Sequence, residues 1–145
     1  MSGRHAERGT ALIEAALTIP ILLLLTVGIF EVGRAYQTWQ VLTNAAREGA
    51  RMAVTPNSAL GVVSGLVHRY MADGQLSEEA AAAVTVNQGA TIVVNGSTVG
   101  ASLVTVDYPF KFIMLQPVAR LVVPGSNAGE AITMRATALM RNEAQ

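Results

Sequence analysis

The chain has 145 residues, 51% of them hydrophobic, 5% aromatic and 14% charged, and its ten basic and ten acidic side chains cancel. Such a composition excludes a disordered chain, and without a basic stripe it excludes a nucleic-acid binder. There is no cysteine, so a disulfide framework and a thiol nucleophile are both ruled out.

Residues 1–9 form a basic leader containing Arg4, His5 and Arg8. From Ala11 to Phe30 the only charge is Glu14, and twenty helical residues reach about 30 Å, the thickness of a bilayer's hydrocarbon core. Ten residues between Leu17 and Phe30 are Leu, Ile, Val or Phe, which together favour insertion by about 3 to 6 kcal/mol. Pro20 is tolerated because bilayer helices find other partners for the freed carbonyl. Residues 10–33 therefore read as a transmembrane helix. The basic leader places the N-terminus in the cytoplasm and residues 34–145 beyond the membrane as one small domain. Glu14 is the residue a plain anchor would not carry, because a carboxylate at that depth is costly and marks a function. A competing reading is a secretory signal peptide cut at Gly33-Arg34-Ala35, giving a mature chain from Tyr36. Glu31 and Arg34 beside the site and the length of the apolar run argue against it.

Past Phe30 the helical period continues. Tyr36 and Trp39 suit a membrane interface, and Ala35, Trp39, Leu42, Ala46, Ala50 and Ala53 form one apolar stripe. Arg47, Glu48 and Arg51 fall off it, as a solvated face. Thr55-Pro56-Asn57-Ser58 marks a break, with Thr55 expected to cap a second helix carrying Leu60, Val63, Val67 and Tyr70. Asp73-Gly74 would stop that helix. Ser64 and His68 share a face at i, i+4, but no acid is spaced to orient the histidine, so a polar helix face is the better account. Ser77-Glu78-Glu79 ahead of Ala80 reads as a capped turn, with acids at its positive end rather than a metal site.

From Val84 the period becomes two. Val84–Asn87 and Thr91–Val94 are short strand candidates, and Asn95-Gly96 is a hairpin turn. Ser102, Val104, Val106, Tyr108 and Phe110 alternate with Leu103, Thr105 and Asp107 in a half-buried strand that Pro109 would end. Ile132, Met134, Ala136, Ala138 and Met140 give the last strand an apolar face. The connection from Phe110 to Gly125 is unusually apolar. It fits a cover over the sheet or a patch docking on a partner or membrane surface, with Phe110, Phe112, Ile113 and Leu115 as the docking candidates.

Gly28-Ile-Phe-Glu31-Val-Gly33-Arg34, Asn44-Ala-Ala-Arg47-Glu48-Gly49-Ala-Arg51, Val104-Thr-Val-Asp-Tyr108-Pro109-Phe110 and Ile132-Thr-Met-Arg-Ala-Thr-Ala-Leu-Met140 occur in this order. With the basic leader ending in glycine and Glu14 five residues on, they make the chain resemble the TadE-like family. Those are pilin-like membrane proteins of the tight-adherence (Flp/Tad, type IVb) pilus machinery of bacteria. The resemblance implies cleavage by a prepilin-type peptidase between Gly9 and Thr10. It implies that Glu14 sets helix register by answering a neighbouring subunit's α-amino group, since each charge is costly alone in apolar surroundings. Alanines follow the cleavage point where an aromatic is common in type IV pilins.

The expected fold is α+β: a long N-terminal transmembrane helix, a second helix, and a small antiparallel sheet packed on the extracytoplasmic half. The expected function is a non-catalytic minor pilin or pseudopilin acting in assembly of an adhesion pilus. Its partners would be the inner membrane, other pilin-like subunits, the assembly machinery and the peptidase. No cofactor, metal site, phosphate-cradling loop or nucleophile–base pair is expected. The alternative is an anchored or secreted binding module of the cell envelope outside any filament.

Overall fold

A computed structural model describes residues 3–56 and 58–142. The order of elements is α1 (Gly3–Ala53), α2 (Leu60–Asp73), a 3-10 turn (Glu79–Ala81), β1 (Ala83–Val94), β2 (Ser97–Phe110), α3 (Leu115–Val122) and β3 (Ile132–Arg141). The fold is α+β, as the periodicities imply. Contacts divide the chain into two compact units, one holding the residues up to Arg34 with Lys111–Ala131, the other Ala35–Phe110 with the chain from Ile132 on.

The second unit is built around an antiparallel sheet in the order β1-β2-β3. The tight turn between β1 and β2 uses Asn95 (φ 51°) and Gly96 (φ 80°), the left-handed pair a two-residue hairpin needs, and sets Val94 opposite Ser97. β1 is one strand rather than two short ones: its pairing slips between Asn87 and Ala90, a bulge that carries it past the expected gap. Pro109 does not end β2, which stays in register with β3 as far as Phe110 opposite Ile132.

Ser102, Val104, Val106, Tyr108 and Phe110 all point inward and are buried, as their alternation requires. Leu42, Ala46 and Ala50 of α1, Val63, Val67 and Met71 of α2, and Ala136 and Ala138 of β3 complete this core. Trp39, although on the same helical stripe, is exposed, as is Leu139 among the polar residues of β3's outer face. Gly49 permits the close approach, because a Cβ there would sit 2.5 Å from Val67 Cγ2 and 3.3 Å from Val104 Cγ1.

Three expected caps resolve differently. Thr55 does not start α2; its hydroxyl donates to the Met52 carbonyl at 2.6 Å, and α2 begins at Leu60 after Ala59 with no side-chain cap. Asn57 lies outside the described residues. At the other end Gly74 is not the left-handed residue. Gln75 (φ 60°) is, with Leu76 N–H reaching the Met71 carbonyl at 3.1 Å and Gln75 N–H reaching Ala72 at 2.8 Å, a Schellman closure. Glycine is required at 74 because a Cβ would meet Val41 Cγ1 at 2.5 Å. The acidic turn at Glu79–Ala81 has no side-chain cap either; the Glu78 N–H donates to the Tyr108 hydroxyl at 3.2 Å.

The C-terminal carbonyl of α1 is answered from the sheet. Gln88, in the bulge of β1, donates to the Ala53 carbonyl at 3.2 Å and the Ser58 carbonyl at 3.0 Å, and buried Ser102 donates to Ala53 at 3.2 Å. Helix ends leave such carbonyls without partners in the helix, and here strand side chains supply them.

Candidate functional site

The first unit turns large apolar side chains outward and buries a carboxylate. Along the apolar run Leu12, Ile13, Leu17, Ile19, Leu22 and Leu25 are all more than half exposed, and the helix is long and apolar enough to cross a membrane. Its hydroxyls are satisfied within the helix, Thr18 donating to the Glu14 carbonyl and Thr26 to the Leu22 carbonyl, each at 2.8 Å. Among the described residues of this unit only Glu31 and Ala119 are buried.

Glu31 organises the unit. One carboxylate oxygen accepts the backbone N–H groups of Ile113 at 2.7 Å and Met114 at 2.6 Å. The other accepts Arg34 Nη2 at 2.9 Å and Nε at 3.2 Å, so the guanidinium lies one turn along the same helix. Arg34 also donates to the Lys111 carbonyl. Met114 immediately precedes α3, so the carboxylate lies at the positive end of that helix and holds the segment from Lys111 to Met114 against α1. A fully buried carboxylate is tolerated where its lone pairs are all engaged and a cation faces it. In the sequence Glu31 is one member of the Gly28–Arg34 motif, and nothing local to that motif assigns it this role. The available signal was an acid at the end of an apolar run with arginine three residues on.

α3 is an element the sequence reading did not anticipate. Residues 111–131 group with the N-terminal half of α1 in one compact unit. Pro117 falls in α3's first turn, where a missing N–H costs nothing. Leu121 and Val122 share a groove of about 570 Å³ with α1, between Ala16, Leu17, Pro20 and Leu23.

Of the residues singled out from sequence, Gly9, Thr10 and Glu14 lie exposed on α1. The side chains of Arg4, His5 and Arg8 lie outside the described residues. Phe110 is packed inside β2, Phe112 and Leu115 are half-buried, and Ile113 is exposed beside the Glu31 cap. Ser64 and His68 do not meet: Ser64 donates to the Gly61 carbonyl at 3.1 Å and His68 Nδ1 to the Glu79 carbonyl at 2.8 Å. Among the described residues no three His, Asp or Glu side chains gather as metal ligands do.

Elsewhere, Arg135 on β3 grips Asp107 on β2 through Nε at 2.6 Å and Nη2 at 2.9 Å. That bidentate hydrogen bond, reinforced by the guanidinium's charge, holds the Asp107 carboxyl below its ordinary range.

A family model described as TadE-like protein matches residues 9–51, from the glycine ahead of the apolar run almost to the end of α1. No curated protein and no solved structure matches the chain.

Proposed function

With a TadE-like helix over residues 9–51 as the premise, we propose that the protein is a membrane-anchored, non-catalytic pilin-like subunit acting in assembly of a tight-adherence pilus. The observation that carries this reading is the coincidence of that match with a helix whose apolar side chains face outward over the length of a bilayer core. A surface of that kind needs lipid or neighbouring apolar helices around it. The basic leader favours an N-terminus in the cytoplasm, with the sheet on the far side of the inner membrane.

In this mechanism the chain inserts, a prepilin-type peptidase cuts between Gly9 and Thr10, and the freed ammonium of one subunit meets Glu14 of another. Glu14's exposure on α1 leaves it open to such a partner. A carboxylate in hydrocarbon is stabilised only where a cation answers it, so the pairing would favour one register over its neighbours. Glu14→Gln should leave membrane insertion intact and abolish or sharply reduce piliation, scored by electron microscopy and surface shearing. Piliation at the parent level by the Glu14→Gln variant would overturn the registry role.

A further inference from the structure

We propose that Ile113–Val123 forms a re-entrant arm whose apolar side chains lie among lipid acyl chains beside the membrane-spanning part of α1. The inference rests on the membrane-anchor reading and extends it to a segment far away in sequence. Leu121 and Val122 line one groove with Ala16–Leu23, the middle of the apolar run. Both sides of that groove belong to one compact unit, so a bilayer that surrounds Leu17 and Leu23 also reaches Leu121. The exposed residues have the matching chemistry: Ile113, Met114, Leu121 and Val123 are each at least half exposed, Leu121 at 78%. That apolar surface continues the one α1 presents.

The arm is built to enter and leave on one side. Eight helical residues extend about 12 Å, too short to span a core of about 30 Å. After Pro124 the chain turns at Gly125 (φ 83°), and at Gly129 (φ 84°) it lies against the start of α3, where a Cβ would sit 2.6 Å from the Gln116 nitrogen. Non-helical backbone at depth must find its own partners. Here Ser126 N–H donates to the Val123 carbonyl at 3.1 Å, Ala128 N–H to Ser126 Oγ at 3.2 Å, and Glu130 N–H to the Asn127 carbonyl at 3.2 Å. Glu31 holds the entry end through Ile113 and Met114. Arg120, the one charge on α3, has a stem long enough to run along apolar surface toward the headgroups.

The absence of native cysteine allows a direct test. Full-length Leu121→Cys, Val123→Cys, Leu25→Cys and Thr137→Cys proteins are labelled with an environment-sensitive fluorophore and reconstituted in phosphatidylcholine vesicles. Each is challenged with acyl-chain spin-labelled lipid and with aqueous iodide. The expected result is blue-shifted emission quenched by the lipid probe at positions 25, 121 and 123, with iodide quenching only at 137. Lipid quenching at 25 with iodide quenching at 121 and 123 would overturn the arm and leave the anchor standing. Resistance to both quenchers at 121 and 123 would show a protein-covered surface and also overturn it. Iodide quenching at 25 would instead sink the anchor reading beneath both.

Discussion

The two halves of α1 obey opposite rules. Between Leu42 and Ala53 the apolar residues Leu42, Ala46, Ala50 and Ala53 are buried, and the charges Arg47, Glu48 and Arg51 are exposed. Between Leu12 and Phe30 most apolar side chains are exposed and none is buried, and in that unit the buried large side chain is Glu31. One helix therefore serves two solvents. Where it closes a core with α2 and the sheet, the hydrophobic effect is satisfied inside the chain. Where it does not, the apolar surface calls for lipid or apolar neighbours, and a carboxylate, a guanidinium and two backbone N–H groups meet beneath it.

The largest break in this contrast is at Glu31. Glu31→Ala removes the carboxylate that pairs with Arg34 and accepts two N–H groups, a loss of about 3 to 5 kcal/mol for a buried pair stripped of one member. Faster amide exchange across residues 111–122, with the sheet still protected, is the expected result in reconstituted protein. Unchanged exchange would show that the carboxylate does not hold α3. Next is Leu42→Ala, which opens a cavity in the other unit and should cost about 2 to 5 kcal/mol, read by chemical denaturation in detergent. It should leave exchange of residues 111–122 unchanged, since Leu42 packs in the other compact unit.

Gly49→Ala tests the packing more finely. Alanine favours the helix by about 1 kcal/mol, but its methyl would be driven into Val67, which is fully buried. A net loss of about 1 kcal/mol is expected, seen as a lowered thermal midpoint; a raised midpoint would show slack at this crossing. The smallest effect belongs to Asp107 and Arg135. With the Asp107 carboxyl held low in the folded protein, the pair's contribution is full above the unfolded carboxyl's pKa and is lost as pH falls through the lowered folded value. Asp107→Asn should therefore flatten that acid limb slightly, and added salt should do the same in the parent protein.

What could be read from the sequence followed from local periodicity. The apolar run, the stripe of α1, the alternation of β2 and the Asn95-Gly96 turn each depend on neighbours a few residues apart, so their residues were legible. Gln75's left-handed backbone was not, because Gly74 next to it looks like the natural stop; the glycine is needed instead for the nearness of Val41. The bulge in β1 escaped notice because Gln88 is committed to carbonyls at the end of α1 and beyond it, a long-range duty. Glu31 was hidden for the same reason, its backbone N–H donors lying more than eighty residues later in the chain. α3 went unread because it is short, carries Pro117, and takes its partner from outside its own segment.

The central claim is that the outward-facing apolar half of α1 is retained and lipid-embedded, not discarded. Intact-mass analysis of the native product, taken from membranes washed at alkaline pH, tests this most directly. The account predicts a membrane-bound chain that keeps residues 10–33, beginning at Thr10 where the leader is removed. A freely soluble chain beginning at Tyr36 would contradict it.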